Sequence, residues 1–388
     1  MTRTHVVVLG GGYAGTLAAN HLRVRPDIDV TLVNPRPAFV ERIRLHQYVA
    51  GTHQATVDYG SLLGDGVQLL VDTAARINAA DRRILLASGA ELSYDYLIYA
   101  VGSTATMPPE VPGAAAFAYS IAEFEPAQYL HQRLGELHPD APVTVVGGGL
   151  TGIETAAELA GQGRAVTLVC GGLLGSSLGA SGRQSVTKTL SRLGVDVLET
   201  AVVAEVRPDA VVLDDRSVLP SVVTVWTAGF GVPDLAAVSG LATDALGRLR
   251  TDETLTSVDN PWIVAAGDAA APSGQPLRMS CQAAEPLGAQ AANTVLSRVT
   301  GTEPAALNQA FVGQCISLGR KHATVQLSRL DDTAVNVYVG GRLAATIKEA
   351  ICKGTVRAIR REAAKPGSYR WLKGGVRPAP AEQDARVR

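Results

Sequence analysis

The sequence predicts an α/β fold built on two copies of one strand–turn–helix unit, followed by a small α+β region. Three observations carry this. The apolar run Val6 to Leu9 gives way to Gly10, Gly12 and Gly15 and then to a helical stretch from Thr16 to Leu22. The order repeats at Val143 to Gly152, with Gly147, Gly149 and Gly152, and continues as helix from Ile153 to Ala160. Each copy then enters a second apolar strand, Asp29 to Val33 and Ala165 to Val169. Strand, G-x-G-x-x-G and helix in that order make the dinucleotide-binding turn of a Rossmann-like unit. The first glycine permits the tight turn, the second lets backbone approach a pyrophosphate, and the third lets helix and strand pack closely. The helix start adds free N–H groups and partial positive charge. One such turn is weak evidence. Two in one chain suggest a flavin and a nicotinamide brought face to face.

Composition sets the bounds. The 388 residues allow two or three domains with ample core. A content of 46% hydrophobic and 18% charged residues fits a soluble globular enzyme. A net charge of −1 gives no general pull toward nucleic acid. No run of 18 apolar residues is present to span a bilayer, and no secretory leader precedes the first strand, so a cytoplasmic protein is expected. Cys170, Cys281, Cys315 and Cys352 have neither C-x-x-C nor zinc spacing; they read as reduced thiols, and no metal is expected.

Taken in order, the second strand ends at Asn34, where a dinucleotide unit usually places an acid on the adenosine ribose; Asn34 keeps the hydrogen bonding without the charge, the alternative being a turn residue before Pro35. Phe39 to Gln47 carries Arg42, Arg44 and His46, suited to an anionic cofactor or equally to a solvated face, with His46 a weaker acid–base candidate. Val67 to Ile77 and Arg83 to Leu86 read as strands of a small antiparallel insert, and Tyr94 to Gly102 as a strand ending in a glycine turn. Pro108, Pro109, Pro112 and Gly113 make a stiff linker and a domain boundary. The ribose position of the second unit is Cys170, and the next Arg is distant, at Arg183; the lack of local positive charge leans toward NADH over NADPH.

Arg192 to Leu213 has strand and turn patterning, and Val222 to Ala228 is a buried strand ending at Gly229. Trp262 to Asp268 is a strand leading into Gly267-Asp268, where a carboxylate suits the polyol chain of a flavin, a plain turn aspartate being the alternative. A helical stretch runs from near Ser280 to Val299, kinked or restarted at Pro286. Its N-terminal dipole would stabilise charge on a reduced flavin by ~0.3–1 kcal/mol. Residues 311–339 read as strands of a third, small region. Arg342 to Arg377 holds ten Lys or Arg against Glu349 and Glu362. As a helix it places Lys353, Arg357, Arg360 and Arg361 on one face and Ile347, Ile351 and Ala358 on another, which suits an anionic membrane surface, a dimer contact or a solvated face. Residues from Pro378 read as a disordered tail.

Both glycine turns, the Tyr94 to Gly102 strand, Glu154 after the second turn, Ala228-Gly229 and Ala266-Gly267-Asp268 resemble the two-dinucleotide-domain FAD/NAD(P)H flavoproteins from residue 5 to about residue 300. Within them the chain is most similar to type II NADH dehydrogenases and apoptosis-inducing-factor-type oxidoreductases. The resemblance implies two Rossmann-like domains, one inserted in the other: residues 1–110 and 250–310 for FAD, 111–249 for NADH or NADPH, and 311–377 as a C-terminal region. It implies that Gly10, Gly12 and Gly15 hold the FAD pyrophosphate, Asp268 the ribityl chain, and Gly147, Gly149 and Gly152 the nicotinamide cofactor. Tyr13, Ala14, Asn34, Arg42, Ala100, Gly102, Leu150, Thr151, Gly229, Gly267 and Ala283 complete the expected cofactor contacts. Glu154 matches a family glutamate near both rings. Cys281 to Gly288 matches an Ala-Gln-x-Ala-x-Gln-type stretch near flavin and quinone, so Glu154 and Gln282 are the expected catalytic residues. Phe311 to Val325 resembles the family's next segment.

Three departures bear on the acceptor. The second glutamine of that stretch is Pro286, the segment Arg42-Ile-Arg-Leu-His46 is more polar than its counterpart, and the basic C-terminal region lacks a heavily apolar anchor. The disulfide-reductase branch is excluded, since residues 39–53 contain no cysteine. The expected reaction passes hydride from NAD(P)H to FAD and electrons on to a quinone, at the inner face of the cell membrane if the basic region binds there. Its rivals are a soluble reductase for a non-quinone acceptor and a flavin-bearing redox-signalling or binding protein. A homodimer is a further expectation.

Overall fold

The computed structural model describes residues 3–375; the tail expected from Pro378 lies outside them. The strand Thr4–Leu9 sits at the centre of a five-stranded sheet ordered Ile263–Ala265, Tyr96–Tyr99, Thr4–Leu9, Ile28–Asn34, Val67–Val71, with every pair parallel. Val6, Val7 and Val8 are fully buried, which is why this strand reads as a continuous apolar run rather than an alternation. A second parallel sheet is ordered Ala118–Ser120, Val223–Trp226, Val143–Val146, Val166–Val169, Asp196–Leu198.

The two sheets correspond strand for strand, and the repeat extends beyond the glycine turns. In each, the third strand is followed by a three-stranded antiparallel meander: Ala74–Asn78, Arg83–Leu86 and Glu91–Ser93 in the first, Val203–Val206, Ala210–Leu213 and Val218–Pro220 in the second. The outer strand differs in origin. Ile263–Ala265 returns to the first sheet after the chain has built the second, whereas Ala118–Ser120 enters the second before its glycine turn.

Two expectations are corrected here. Val67 to Ile77 is not one strand of an insert: Val67–Val71 is the outer strand of the first parallel sheet, and only Ala74–Asn78 belongs to the meander. The break falls at Asp72, whose carboxylate accepts from the Thr73 N–H and the Ser88 hydroxyl. The strand pattern assigned from Arg192 starts only at Asp196, since Ala180–Arg192 is a helix.

The helix Cys281–Val299 runs unbroken through Pro286, so it does not restart there. Ser280 caps it by accepting from the Ala283 N–H at 3.2 Å. The carbonyl that proline deprives of a partner four residues back belongs to Gln282, and Gln309 Nε2 donates to it at 2.9 Å. Gly288 lets this helix pack on Tyr13–Leu22, since a Cβ there would stand 2.2 Å from the Ala14 carbonyl oxygen.

The C-terminal region is an antiparallel sheet, Gly313–Ser317, Ala323–Ser328 and Ala334–Gly340, leading into the helix Gly341–Ala364. That helix packs on the small sheet and on Tyr13–Leu22. Its buried face carries Ala344, Cys352, Val356 and Ile359, with Glu362 bonded to His21 Nδ1 at 2.7 Å, while Ile351 is 41% exposed. The apolar face expected at Ile347, Ile351 and Ala358 is thus rotated by about one residue. No helix among the described residues is long and apolar enough to cross a membrane.

Candidate active site

The first glycine turn opens on a cleft of about 370 Å³ lined by Gly10, Gly12, Asn34, Arg42, Ala100 and Gly102, among others. Its glycines divide the work. Gly10 has φ +99°, and a Cβ there would stand 2.3 Å from the Ala100 carbonyl oxygen. A Cβ on Gly15 would lie 1.8 Å from the Gly10 carbonyl oxygen. A Cβ on Gly12 would meet no protein atom within 4 Å; it would project into open space at the mouth of the helix Tyr13–Leu22. The second turn repeats the pattern. Gly147 has φ +119°, a Cβ on Gly152 would stand 1.9 Å from the Gly147 carbonyl oxygen, and one on Gly149 would meet nothing within 4 Å. Backbone therefore requires four of these glycines, and the other two keep the helix ends clear, as a pyrophosphate needs. The residues present fit two dinucleotides. Leu150 and Thr151 open the second helix, Leu150–Gly161.

Asn34 lies in the first cleft with both ends of its amide engaged: Oδ1 accepts from the Gly11 N–H at 2.9 Å and Nδ2 donates to the Arg36 carbonyl at 2.8 Å. Arg42 Nη1 donates to the Ser103 carbonyl at 2.8 Å, and the Ser103 hydroxyl donates to Asp268 Oδ2 at 2.7 Å. Burial pushes the Asp268 carboxyl up, against Ser103 and Arg42, and burial lowers the Arg42 guanidinium. Tyr13, Ala14, Gly229, Gly267 and Ala283 lie outside the lining of this cleft. Tyr13 packs edge-on against Phe39 at 5.0 Å, a Cβ on Gly267 would touch the Ala14 Cβ at 3.1 Å, and Gly229 turns the chain at φ +79°.

Glu154 stands at the junction of the second unit with the C-terminal region. Its Oε1 accepts from Lys348 Nζ at 2.9 Å and from the Ser317 N–H at 2.9 Å, and its Oε2 lies 3.8 Å from His46 Nδ1. Lys348 Nζ also donates to the Cys315 carbonyl at 3.0 Å. Burial raises the Glu154 carboxyl, but Lys348, His46 and Ser317 outweigh it and hold it below the ordinary value. Burial likewise opposes the Lys348 charge, and Glu154 more than restores it. Burial pushes His46 down to about 4, so at neutral pH it is uncharged and Lys348 is the counter-charge.

Neither Arg44 nor His46 reaches the first cleft, which Arg42 alone of the three lines. Arg44, 1% exposed, bonds Glu41, Gln47 and, through both terminal nitrogens at 3.0 and 3.1 Å, Glu349 of the C-terminal helix. Gln282 does not join Glu154; with its amide oriented to suit its neighbours it bonds the Val312 N–H and the Gly313 carbonyl, each at 3.1 Å. Lys348 is the residue that sequence reasoning missed. It precedes Cys352, Val356 and Ile359 by four, eight and eleven residues and so shares their buried face.

Two glycine turns on matched parallel sheets, with a buried ion pair where the second unit meets the C-terminal region, define a two-dinucleotide oxidoreductase. The chain belongs to the pyridine nucleotide-disulphide oxidoreductase family, whose pattern it matches over residues 4–288. An NADH dehydrogenase-like protein of Mycobacterium tuberculosis is 34% identical over 324 residues, 76% of this chain and 80% of the relative. Demethylphylloquinone reductase NdbB of Synechocystis is 27% identical over 350 residues, 83% of this chain and 86% of the relative. The sulfide:quinone oxidoreductase of Aquifex aeolicus shares the fold, with a TM-score of 0.79 at 21% identity over 94% of this chain and 93% of that one. The chain is a type II NADH dehydrogenase-like flavoenzyme that uses FAD and NAD(P)H.

Proposed function

We propose that the enzyme oxidises NAD(P)H through FAD and passes the electrons to a quinone-type acceptor. The observation that carries this reading is the buried Glu154–Lys348 pair, bridging the second glycine helix to the C-terminal helix. A relative named as a quinone reductase supports it. The reaction balances as NAD(P)H, a proton and quinone giving NAD(P)⁺ and quinol. FAD on the first turn supplies the hydride acceptor and two-electron donor.

The protein's own groups do the rest. Gly12 and Gly149 admit the two pyrophosphates to the helix ends. Asn34 acts through the loop, holding the Gly11 N–H, and Asp268, steadied by Ser103, takes the ribityl hydroxyls. Glu154 stays ionised and keeps Lys348 charged, so Lys348 Nζ holds a proton at the junction. The acceptor needs one proton beyond the hydride, which solvent supplies, while Lys348, in the wall of a solvent-facing cleft, stays charged and steadies negative charge on the acceptor. Gln282 positions the helix Cys281–Val299 against residues 312–313.

Stopped-flow reduction and turnover test this with Glu154→Gln, which should retain FAD yet slow one or both steps; wild-type rates in both overturn the assignment. NADH is the proposed donor, because Cys170 offers no charge to a 2′-phosphate. The exposed residues of Gly341–Ala364 include Leu343, Ile351, Arg357, Arg360 and Arg361, a mixture that suits an anionic membrane surface. Vesicle co-sedimentation of the wild type and of Arg360→Gln/Arg361→Gln tests it, and sedimentation of the protein alone tests a dimer. A second reading, a soluble reductase for a non-quinone acceptor, is favoured by the Arg44–Glu349 pair in the segment expected to be apolar.

A further inference from the structure

A second cleft, of about 510 Å³, lies between residues 317–321 of the C-terminal sheet and the helix Gly341–Ala364. Its lining includes Ser317 and Lys348, the groups that hold Glu154. Around them stand Arg320, Lys321, Arg342, Lys353 and Arg357, and the one carboxylate in the wall among the described residues is Glu349. That carboxylate is already engaged, by Arg44 from behind and by Lys353 Nζ at 3.3 Å, with Arg320 at 4.0 Å. Lys348 is matched by Glu154. Lys321, Arg342 and Arg357 have no carboxylate within 4.0 Å among the described residues. The cleft therefore keeps a surplus of positive charge in a concavity, where the field on an entering anion is concentrated. Its volume is that of a small-molecule site. Apolar wall is confined to Ala345 and Ala350 beside Gly319 and the stems of the cations, too little for a long isoprenoid chain.

We propose that this cleft binds small organic anions, and that the physiological acceptor is a compact quinone bearing a carboxylate, sulfonate or phosphate group. Lys321, Arg342 and Arg357 hold the anionic group beside Lys348, behind which Glu154 is bonded outside the cleft lining. The acceptor role rests on the proposed quinone reaction; anion binding does not. In that reaction the ring takes two electrons and two protons, one proton arriving with the hydride and one from solvent, and the anionic substituent is unchanged.

Two measurements on the FAD-loaded protein test this. Calorimetric titration with 2-naphthalenesulfonate should show binding to the wild type that weakens at least about tenfold in Arg342→Gln/Arg357→Gln and falls with added salt, as a charge-driven contact must. No binding, or equal binding to both proteins, overturns the inference. The second measurement compares kcat/KM for 1,4-naphthoquinone-2-sulfonate with that for 2-methyl-1,4-naphthoquinone in both proteins. The double substitution should lower the sulfonate-to-methyl ratio about tenfold or more, while melting temperature and flavin content hold. An unchanged ratio overturns the acceptor assignment. If NADH bleaches the flavin and neither quinone restores it, the quinone reading fails and the titration alone decides the anion site.

Discussion

Replacing Lys348 by Met removes the one cation among the described residues that lies within 4.0 Å of Glu154 and is charged at neutral pH. Breaking a buried ion pair from one side costs about 3–5 kcal/mol when the remaining charge stays buried. Glu154 limits the loss by taking a proton, since burial then acts on it without Lys348 in opposition. In the wild type, the lowered carboxyl contributes stability above its unfolded value of 4.5, lost only as pH falls through the folded value. The raised ammonium contributes fully below 10.5, and that is lost as pH rises through its folded value. The pair's contribution is thus flat across neutral pH. In Lys348→Met the native state retains a proton that the unfolded state releases, so stability declines as pH rises past 4.5. Denaturant unfolding of the FAD-loaded protein at several pH values reads this directly. The double variant Glu154→Gln/Lys348→Met should recover most of the loss, as expected when both members of a buried pair are replaced. A single-variant loss under about 0.5 kcal/mol with no pH slope, or strictly additive effects in the double variant, would refute the reasoning.

Gly12→Ala and Gly15→Ala should separate binding from folding. The first leaves the apoprotein's melting temperature unchanged and abolishes flavin absorbance, because its Cβ meets only the cofactor's space; the second prevents folding of the first unit, because its Cβ collides with the Gly10 carbonyl. Gly149→Ala should raise KM for NAD(P)H with FAD content intact, measured by steady-state kinetics. Burial pushes Glu285 up to about 8 from 4.5, so between those values the native state holds a proton that the unfolded state does not, and stability falls by up to about 1.4 kcal/mol per pH unit. Glu285→Gln should remove that slope and raise the melting temperature at pH 7.5, read by thermal melts across pH. Gln309→Leu leaves the Gln282 carbonyl without its donor and should cost about 1–3 kcal/mol in denaturant unfolding.

The glycine turns were legible because each position answers to a local requirement. Gly10 and Gly147 need positive φ, Gly15 and Gly152 need contact with a carbonyl, and those demands fix spacing in the sequence itself. The strand leading to Asp268 was legible for a similar reason, an apolar run ending in a turn. The inner strands of both sheets were read from buried apolar runs, but Val67–Val71 was not separated from the meander that follows. Its exposed Val71 and partly exposed Leu69 and Leu70 give it the look of a surface strand. The junction was not legible. Lys348 differs from the basic residues after it only in which face it occupies, and that depends on a helix packed between two bodies remote in sequence. Arg44 reads as a surface cation until Glu349, 305 residues away, is placed beside it.

The C-terminal helix does two jobs that cannot be varied separately. Glu362 and Glu349 tie it to the first unit, through His21 and Arg44. One turn-related position before Cys352, Lys348 reaches the second unit at Glu154. The helix is therefore bonded to both units and supplies a charge where the second unit meets the C-terminal region. Its outward side forms the basic cleft, so the proposed acceptor site rests on the same element that is bonded to both units. A change of acceptor specificity is consequently expected on the outward residues Arg342 and Arg357, whose side chains make no ion pair among the described residues, and not on Lys348 or Glu349, where a substitution alters the junction before it alters the ligand.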